Sequence, residues 1–225
     1  VDDGHAGTLA SSPPGVKPSG YNAAVPDVLV LYYSRHGSVA ALAQQVARGI
    51  NAVAGVQARV RTVPPVSAET GPRLPPVPDS GPPYATLADL GECAGLVLGS
   101  PTRFGNMAAP LKHFLDQTGG EWLAGALRGK PAGVFTASSS SHGGQESTLL
   151  TMALPLIHHG MVFVGIPYDE PAVATTRGGG SPYGAGHLAP AQGDTEPTAD
   201  EAAIARRLGR RVAALALRLD GFERP

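Results

Sequence analysis

The sequence predicts a doubly wound α/β fold: a five-stranded parallel sheet with helices on both faces. Three observations carry this expectation. Short apolar runs alternate with helical patterns from Asp27 onward. The inner runs are apolar throughout, as strands buried on both faces must be. Small-residue loops follow several of them, and in such sheets a ligand sits beyond the carboxyl ends of the strands, where the strand order reverses.

Val28-Leu29-Val30-Leu31-Tyr32-Tyr33 reads as the first strand and Ser34-Arg35-His36-Gly37-Ser38 as the loop after it. The helix that follows, Val39 to Ile50, carries Val39, Leu42, Ala43, Val46 and Ile50 as one buried stripe, and Ser38 is placed to cap it. Val56, Ala58, Val60 and Thr62 then alternate with Gln57, Arg59 and Arg61, the pattern of an edge strand with one wet face. The proline-rich stretch from Pro64 to Pro83 cannot be a central strand and reads as a surface excursion. Thr86 to Asp89 is a short helical turn, and Ala94 to Ser100 is an apolar strand stopped by Pro101.

Met107 to Gln117 is helical, with Met107, Leu111, Phe114 and Leu115 on one side. Pro131 to Ala137 is the fourth strand, Ser138 to Gly144 its loop, and Gln145 to His158 the next helix, with Leu149, Met152 and Leu156 as its stripe. Pro155 is expected to kink that helix. Val162 to Ile166 is the last strand. Tyr168 to Pro197 is rich in Gly and Pro and structureless by pattern, a length that marks a functional loop or an interface. Thr198 to Leu219 closes the chain as a helix with Ile204, Leu208, Val212 and Leu215 on its apolar side.

With 225 residues the chain needs only one core, read here as a single domain over residues 27–220 after a Gly-, Pro- and Ser-rich flexible tail over residues 1–26. The 17 basic and 18 acidic residues leave a formal net charge of −1, which gives no electrostatic case for nucleic acid or an anionic membrane. The single cysteine, Cys93, excludes an intrachain disulfide and a cysteine metal site, and its place before an apolar strand reads as a small buried hydrophobe. A chain without a disulfide framework fits a reducing cytoplasm, and no apolar run is long enough for a membrane span.

Three loops gather at the carboxyl end of the sheet. Ser34, Arg35, His36, Gly37, Ser38 and Val39 bring hydroxyls, backbone N–H groups and a helix N-terminus together, which suits a phosphate. No lysine follows the glycine as in a Walker loop, and there is no Gly-x-Gly-x-x-Gly, so a mononucleotide held by uncharged donors fits best. Flavin mononucleotide (FMN) is the leading candidate. Pro101-Thr102-Arg103-Phe104-Gly105-Asn106 adds a flat side chain, backbone donors and a glycine that admits a flavin ring. Ser138, Ser139, Ser140, Ser141, His142 and Gly143 add hydroxyls from the fourth strand's loop. Each loop alone reads equally as a turn; their convergence is the signal. No metal is expected, because the adjacent His158 and His159 do not face the same way and have no further ligands nearby in sequence.

The stretches Leu31-Tyr32-Tyr33-Ser34, Pro101 to Met107, Phe114 to Gly120 and His142-Gly143-Gly144-Gln145-Glu146 resemble those of the WrbA-type NAD(P)H:quinone oxidoreductases. So do His158-His159-Gly160-Met161, Arg177-Gly178-Gly179 and Ser181-Pro182-Tyr183-Gly184-Ala185, and the likeness runs from about Val28 to Leu219. The resemblance implies a flavodoxin-like fold with strand order 2-1-3-4-5, bound FMN, a homotetramer, and two-electron reduction of quinones by NADH or NADPH. It also implies that residues 34–39 hold the phosphate, that Thr102, Arg103 and Phe104 line the ring, and that residues 138–143 complete the site. Trp122 then faces the quinone, and His158 or His159 is the active-site histidine beside the cofactor. From sequence alone, the simpler reading is a packing aromatic for Trp122 and a helix-end cap for the histidine pair. His36 stands where the family often has Tyr at a nicotinamide-associated position, which leaves the choice between NADH and NADPH open. The alternatives are a flavodoxin-type single-electron carrier, against which the near-neutral charge counts, and a regulatory module without catalysis.

Overall fold

The structure, a computed structural model, describes residues 25–66, 78, 80–190 and 196–220. The expected tail up to residue 24, most of the proline-rich excursion and residues 191–195 lie outside the described residues. Strands β1 (Asp27–Tyr32), β2 (Gln57–Thr62), β3 (Gly95–Pro101), β4 (Pro131–Ser138), β5 (Val162–Phe163) and β6 (Ala185–Leu188) form one sheet. Its order is β2-β1-β3-β4-β5, with β6 also paired to β4, and every pairing is parallel.

Alternation along the strands divides the core in two. Val28, Val30, Tyr32, Val97 and Phe135 face helices α1 (Ser38–Asn51) and α7 (Ala199–Arg218). Leu29, Leu31, Leu96, Leu98 and Val134 face α2 (Leu87–Glu92), α3 (Ala109–Asp116) and α5 (Gln145–His158). Helices α4 (Gly119–Leu123) and α6 (Ala172–Thr175) are short additions. Helices α1 and α7 meet backbone to backbone, because a Cβ on Gly49 would strike the Arg206 carbonyl and one on Gly209 the Val46 carbonyl.

Four details depart from the expectations. The fifth strand is split: β5 pairs with Pro131 and Ala132, whereas β6 continues along the same edge opposite Phe135 to Ser138. Residues 164–184 connect the halves, so the stretch expected to be structureless supplies a strand. The N-cap of α1 is Gly37, and Ser38 is the first helical residue; Ser34 Oγ instead accepts from the Ala40 N–H at 3.3 Å. The face of β2 expected to be wet is an ion-pair cluster, in which Arg59 meets Asp27, Asp89 and Glu92 while Arg61 meets Asp89. Helix α5 has the expected span, Gln145–His158, with Pro155 inside its last turn. Cys93 is 1% exposed, and burial pushes its thiol up to about 11, which makes it a packing residue.

Candidate active site

The sheet order reverses direction between β1 and β3, and the loops leaving those strands part there. A cavity of about 390 Å³ opens at this point, within the size range of cofactor sites. Its floor and walls come from the loops after β1, β3 and β4 and from the end of β6.

On the first side lie Ser34, Arg35, His36, Ser38 and Val39. Gly37 has φ 92°, a left-handed conformation that a Cβ would oppose, and it turns the chain into α1. The N–H groups of Ser38 and Val39 open that helix and have no intrahelical acceptor, so they carry the partial positive charge of the helix end. On the second side, Thr102 is tied down by its N–H to the Ala137 carbonyl (2.8 Å) and by its hydroxyl to Thr136 Oγ1 (3.0 Å). Since Thr136 donates its own proton to the Ser100 carbonyl, Thr102 is the donor of that pair.

Arg103 and Asn106 exchange backbone hydrogen bonds across a two-residue turn formed by Phe104 and Gly105. That turn holds Phe104 at φ 51°, and its ring stands fully in solvent at the cavity rim. Both features are costly for a large apolar residue, by about 1 kcal/mol for the backbone alone, and such strain concentrates at binding sites. Asn106 supports the turn by accepting the Met107 N–H on its side chain.

Ser138, Ser139 and Gly143 line the third side, with Ser138 held by Gln145 Nε2 at 2.8 Å. Ser140, Ser141 and His142 form the exposed outer part of this loop and do not line the cavity; nor do the turn residues Gly105 and Asn106. Three lining residues lie outside the loops that the sequence singles out: Ala137 near the end of β4, and Ala189 and Pro190, which follow β6 inside the Gly- and Pro-rich stretch. Ala189 reaches the site because its N–H bonds the Ser138 carbonyl at 2.9 Å.

This arrangement suits FMN on its own chemistry: neutral hydroxyls and helix-start amides for a phosphate, a flat ring at the rim, and Arg103 as a nearby cation. The sequence model of the NADPH-dependent FMN reductase family matches residues 26–168. The chain belongs to that family. Among its relatives is a protein of Geobacter sulfurreducens named NAD(P)H dehydrogenase (quinone), 44% identical over 204 residues that cover 87% of this chain and all of the relative.

The fold of this FMN reductase-family protein is flavodoxin-like. A WrbA-like flavodoxin from Agrobacterium tumefaciens superposes with a TM-score of 0.60 at 22% identity, covering 86% of this chain and 98% of that one. A flavodoxin from the domain Archaea gives 0.55 at 20% identity, covering 85% and 99%. Among the described residues, no helix is long and apolar enough to cross a membrane.

The structure does not bring Trp122, His158 and His159 to the cavity within one chain. Helix α5 starts beside the β4 loop and runs back along the sheet, so its 14 residues carry the chain about 21 Å away. At that far end the Gly160 carbonyl accepts from the Gly129 N–H, just ahead of β4. There Trp122 Nε1 donates to the His158 carbonyl (2.9 Å), and His159 Nε2 meets Thr118 Oγ1 (2.9 Å). Burial lowers the His159 pKa below the ordinary imidazole value; Glu121 partly opposes this, and His158 adds to it.

A second buried centre supports the cavity wall. Glu201, in the first turn of α7, accepts from the N–H groups of Gly179 (2.7 Å), Leu188 (2.8 Å) and Thr198 (2.8 Å) and faces His187 Nδ1 at 3.0 Å. One carboxylate thus fastens the glycine loop, β6 and the helix start together.

Proposed function

We propose that the protein is an FMN-dependent oxidoreductase that transfers two electrons from NADH or NADPH to a quinone. The observation that carries this reading is the cavity at the strand-order reversal, walled by helix-start amides on one side and the strained Phe104 turn on the other. Bound there, FMN supplies two-electron transfer between a reduced nicotinamide and a quinone.

In this reading the amides of Ser38 and Val39 and the hydroxyls of Ser34 and Ser38 bind the phosphate. Gly37 gives that loop its shape, while Arg35 and His36 flank it. Thr102, Arg103 and Phe104 orient the ring system, with the Pro101, Gly105 and Asn106 backbone shaping their turn. The Arg103 charge favours the electron-rich state. Ser138, Ser139 and Gly143 close the third side, with Ser140, Ser141 and His142 as the outer loop. In this reading Trp122 and His159, which lie by the far end of α5 from their own cavity, serve a quinone at the cavity of a neighbouring chain.

The oligomer is part of the proposal. Helix α5 leaves Leu150, Leu154 and Ile157 exposed in one stripe, beside exposed Trp122 and Leu123 on α4. A second copy of this chain, in a homotetramer, is the occupant that covers this stripe and brings α4 to a neighbouring cavity. Leu154→Glu is expected to reduce the mass seen by light scattering at micromolar concentration; a mass that stays at four chains would count against this surface. We assign the protein to the cytoplasm, in keeping with a single, buried cysteine.

The function is tested by supplying FMN-loaded protein with NADH or NADPH and a benzoquinone. Nicotinamide oxidation that depends on the quinone is expected. A fully loaded protein that leaves the nicotinamide untouched with several quinones would refute the assignment.

A further inference from the structure

Four of the chain's 17 lysines and arginines line one cavity outside the site described above. They are Arg207, Arg210, Arg211 and Arg218 of α7, and Ala214 and Leu215 of the same helix lie among them, with Val53 beyond the end of α1. The volume is about 390 Å³, within the range of small-ligand sites. Ser38 at the start of α1 lines the first cavity and Val53 lines this one, so the length of α1 lies between the two.

The charge here is one-sided. Among the described residues no carboxylate lines the cavity. Asp169 pairs with Arg207 at 2.6 Å and balances one of the four charges. Arg211 Nε donates to the Gly165 carbonyl at 3.0 Å, which fixes that side chain and leaves its charge. The guanidinium groups of Arg210 and Arg218 have no hydrogen-bond or ion-pair partner among the described residues.

The helix itself does not favour this gathering. Arg210 and Arg211 stand three and four residues after Arg207, where like charges repel. The carbonyls at a helix C-terminus attract cations only within the last turn, which reaches Arg218 and none of the other three. The chain as a whole carries −1, so the patch does not reflect a basic protein.

An anion with several charges would favour it. Guanidinium forks match phosphate oxygens two at a time, and their flat faces stack on rings. Arg207, Arg210 and Arg211 fall within about 6 Å along the α7 axis, a span that suits linked phosphates. Ala214, Leu215 and Val53 follow as an apolar floor, and Arg218 stands at its far end. Three apolar side chains are too few for the core of a protein interface, which favours a small ligand over an acidic partner chain.

We propose that this cavity binds an organic polyphosphate of the nucleotide type, an anion with two or more linked phosphates on a body with a flat ring. The phosphates lie on the turn from Arg207 to Arg211. The ring covers Leu215 and Val53, and Arg218 stacks against it.

The test is a calorimetric titration of the FMN-loaded protein with ATP, pyrophosphate and adenosine at low ionic strength. ATP is expected to bind once per chain with the flavin spectrum unchanged, and more weakly as salt is added. Pyrophosphate should bind about tenfold more weakly than ATP, and adenosine more weakly still. Arg210→Gln should weaken ATP and pyrophosphate alike, on the order of tenfold. Arg218→Gln should weaken ATP and leave pyrophosphate unchanged. Both variants should keep the wild-type circular dichroism and flavin content, since neither guanidinium is tied to the described protein. No ATP binding, or ATP binding that both variants leave intact, would overturn the proposal. So would pyrophosphate binding as tightly as ATP, or release of flavin as ATP enters, which would place the nucleotide in the first cavity. A polyglutamate peptide that binds in preference to ATP would overturn it in favour of an acidic partner chain.

Discussion

A Glu201→Ala protein is expected to lose about 3–5 kcal/mol of stability, the range seen when one partner of a buried charged network is removed. Glu201 is fully buried, and its two oxygens accept from Gly179, Leu188, Thr198 and His187. Truncation removes the acceptor that these donors share, and a group left buried without one, as the Gly179 N–H would be, costs about 1–3 kcal/mol. The same contacts favour the ionised form strongly enough to outweigh burial, and they hold the carboxyl down from 4.5 to about 2. A depressed carboxylate contributes stability that is present above its unfolded pKa and lost as the pH falls through the folded one. The wild type should therefore exceed Glu201→Ala by its full margin at neutral pH, with the gap closing from about pH 4.5 towards pH 2. Urea denaturation across that range reads it directly, and a gap independent of pH would show that the carboxylate is not what matters. The damage should reach the cavity, because β6 carries Ala189 and Pro190 to its wall.

A Gly37→Val protein is expected to fold normally and to bind FMN about 100-fold more weakly, a loss of about 2.7 kcal/mol. Gly37 sits at φ 92°, where a β-branched residue is strained, and the loop around it is exposed. The chain can relieve the strain by turning the peptide, since few contacts hold the loop. The amides that start α1 then no longer converge on one point. Flavin fluorescence titration checks this, with circular dichroism as the control for folding. A wild-type affinity in this variant would remove the phosphate from the β1 loop.

Much of this architecture is legible in the sequence because burial on both faces leaves a plain record. Val28 to Tyr32 and Ala94 to Ser100 have no polar interruption before Ser100, and their alternate residues enter separate cores. The three cofactor loops are equally visible, since each follows such a run. β6 is not, for a physical reason. Ala185-Gly186-His187-Leu188 owes its strand to close approach: a Cβ on Gly184 would strike the Val134 carbonyl, and one on Gly186 would strike Gln145. Residues selected for being small carry no strand signature. Arg59 and Arg61 mislead in the opposite way, because an alternating charge signals solvent only when no carboxylate lies across from it. Asp27, Asp89 and Glu92 come from elements that only the folded chain places there. Trp122 and His159 were legible as candidates, yet their distance from their own cavity depends on the direction of α5.

The central claim is that FMN occupies the cavity among the β1, β3 and β4 loops and exchanges electrons in pairs. An anaerobic titration of the flavin-loaded protein, followed in the visible spectrum, tests it most directly. One flavin per chain should bleach with an equivalent of NADH or NADPH and return with an equivalent of quinone, with no half-reduced flavin accumulating. A protein that takes up no FMN, or a flavin that stops halfway and stays there, would contradict the account.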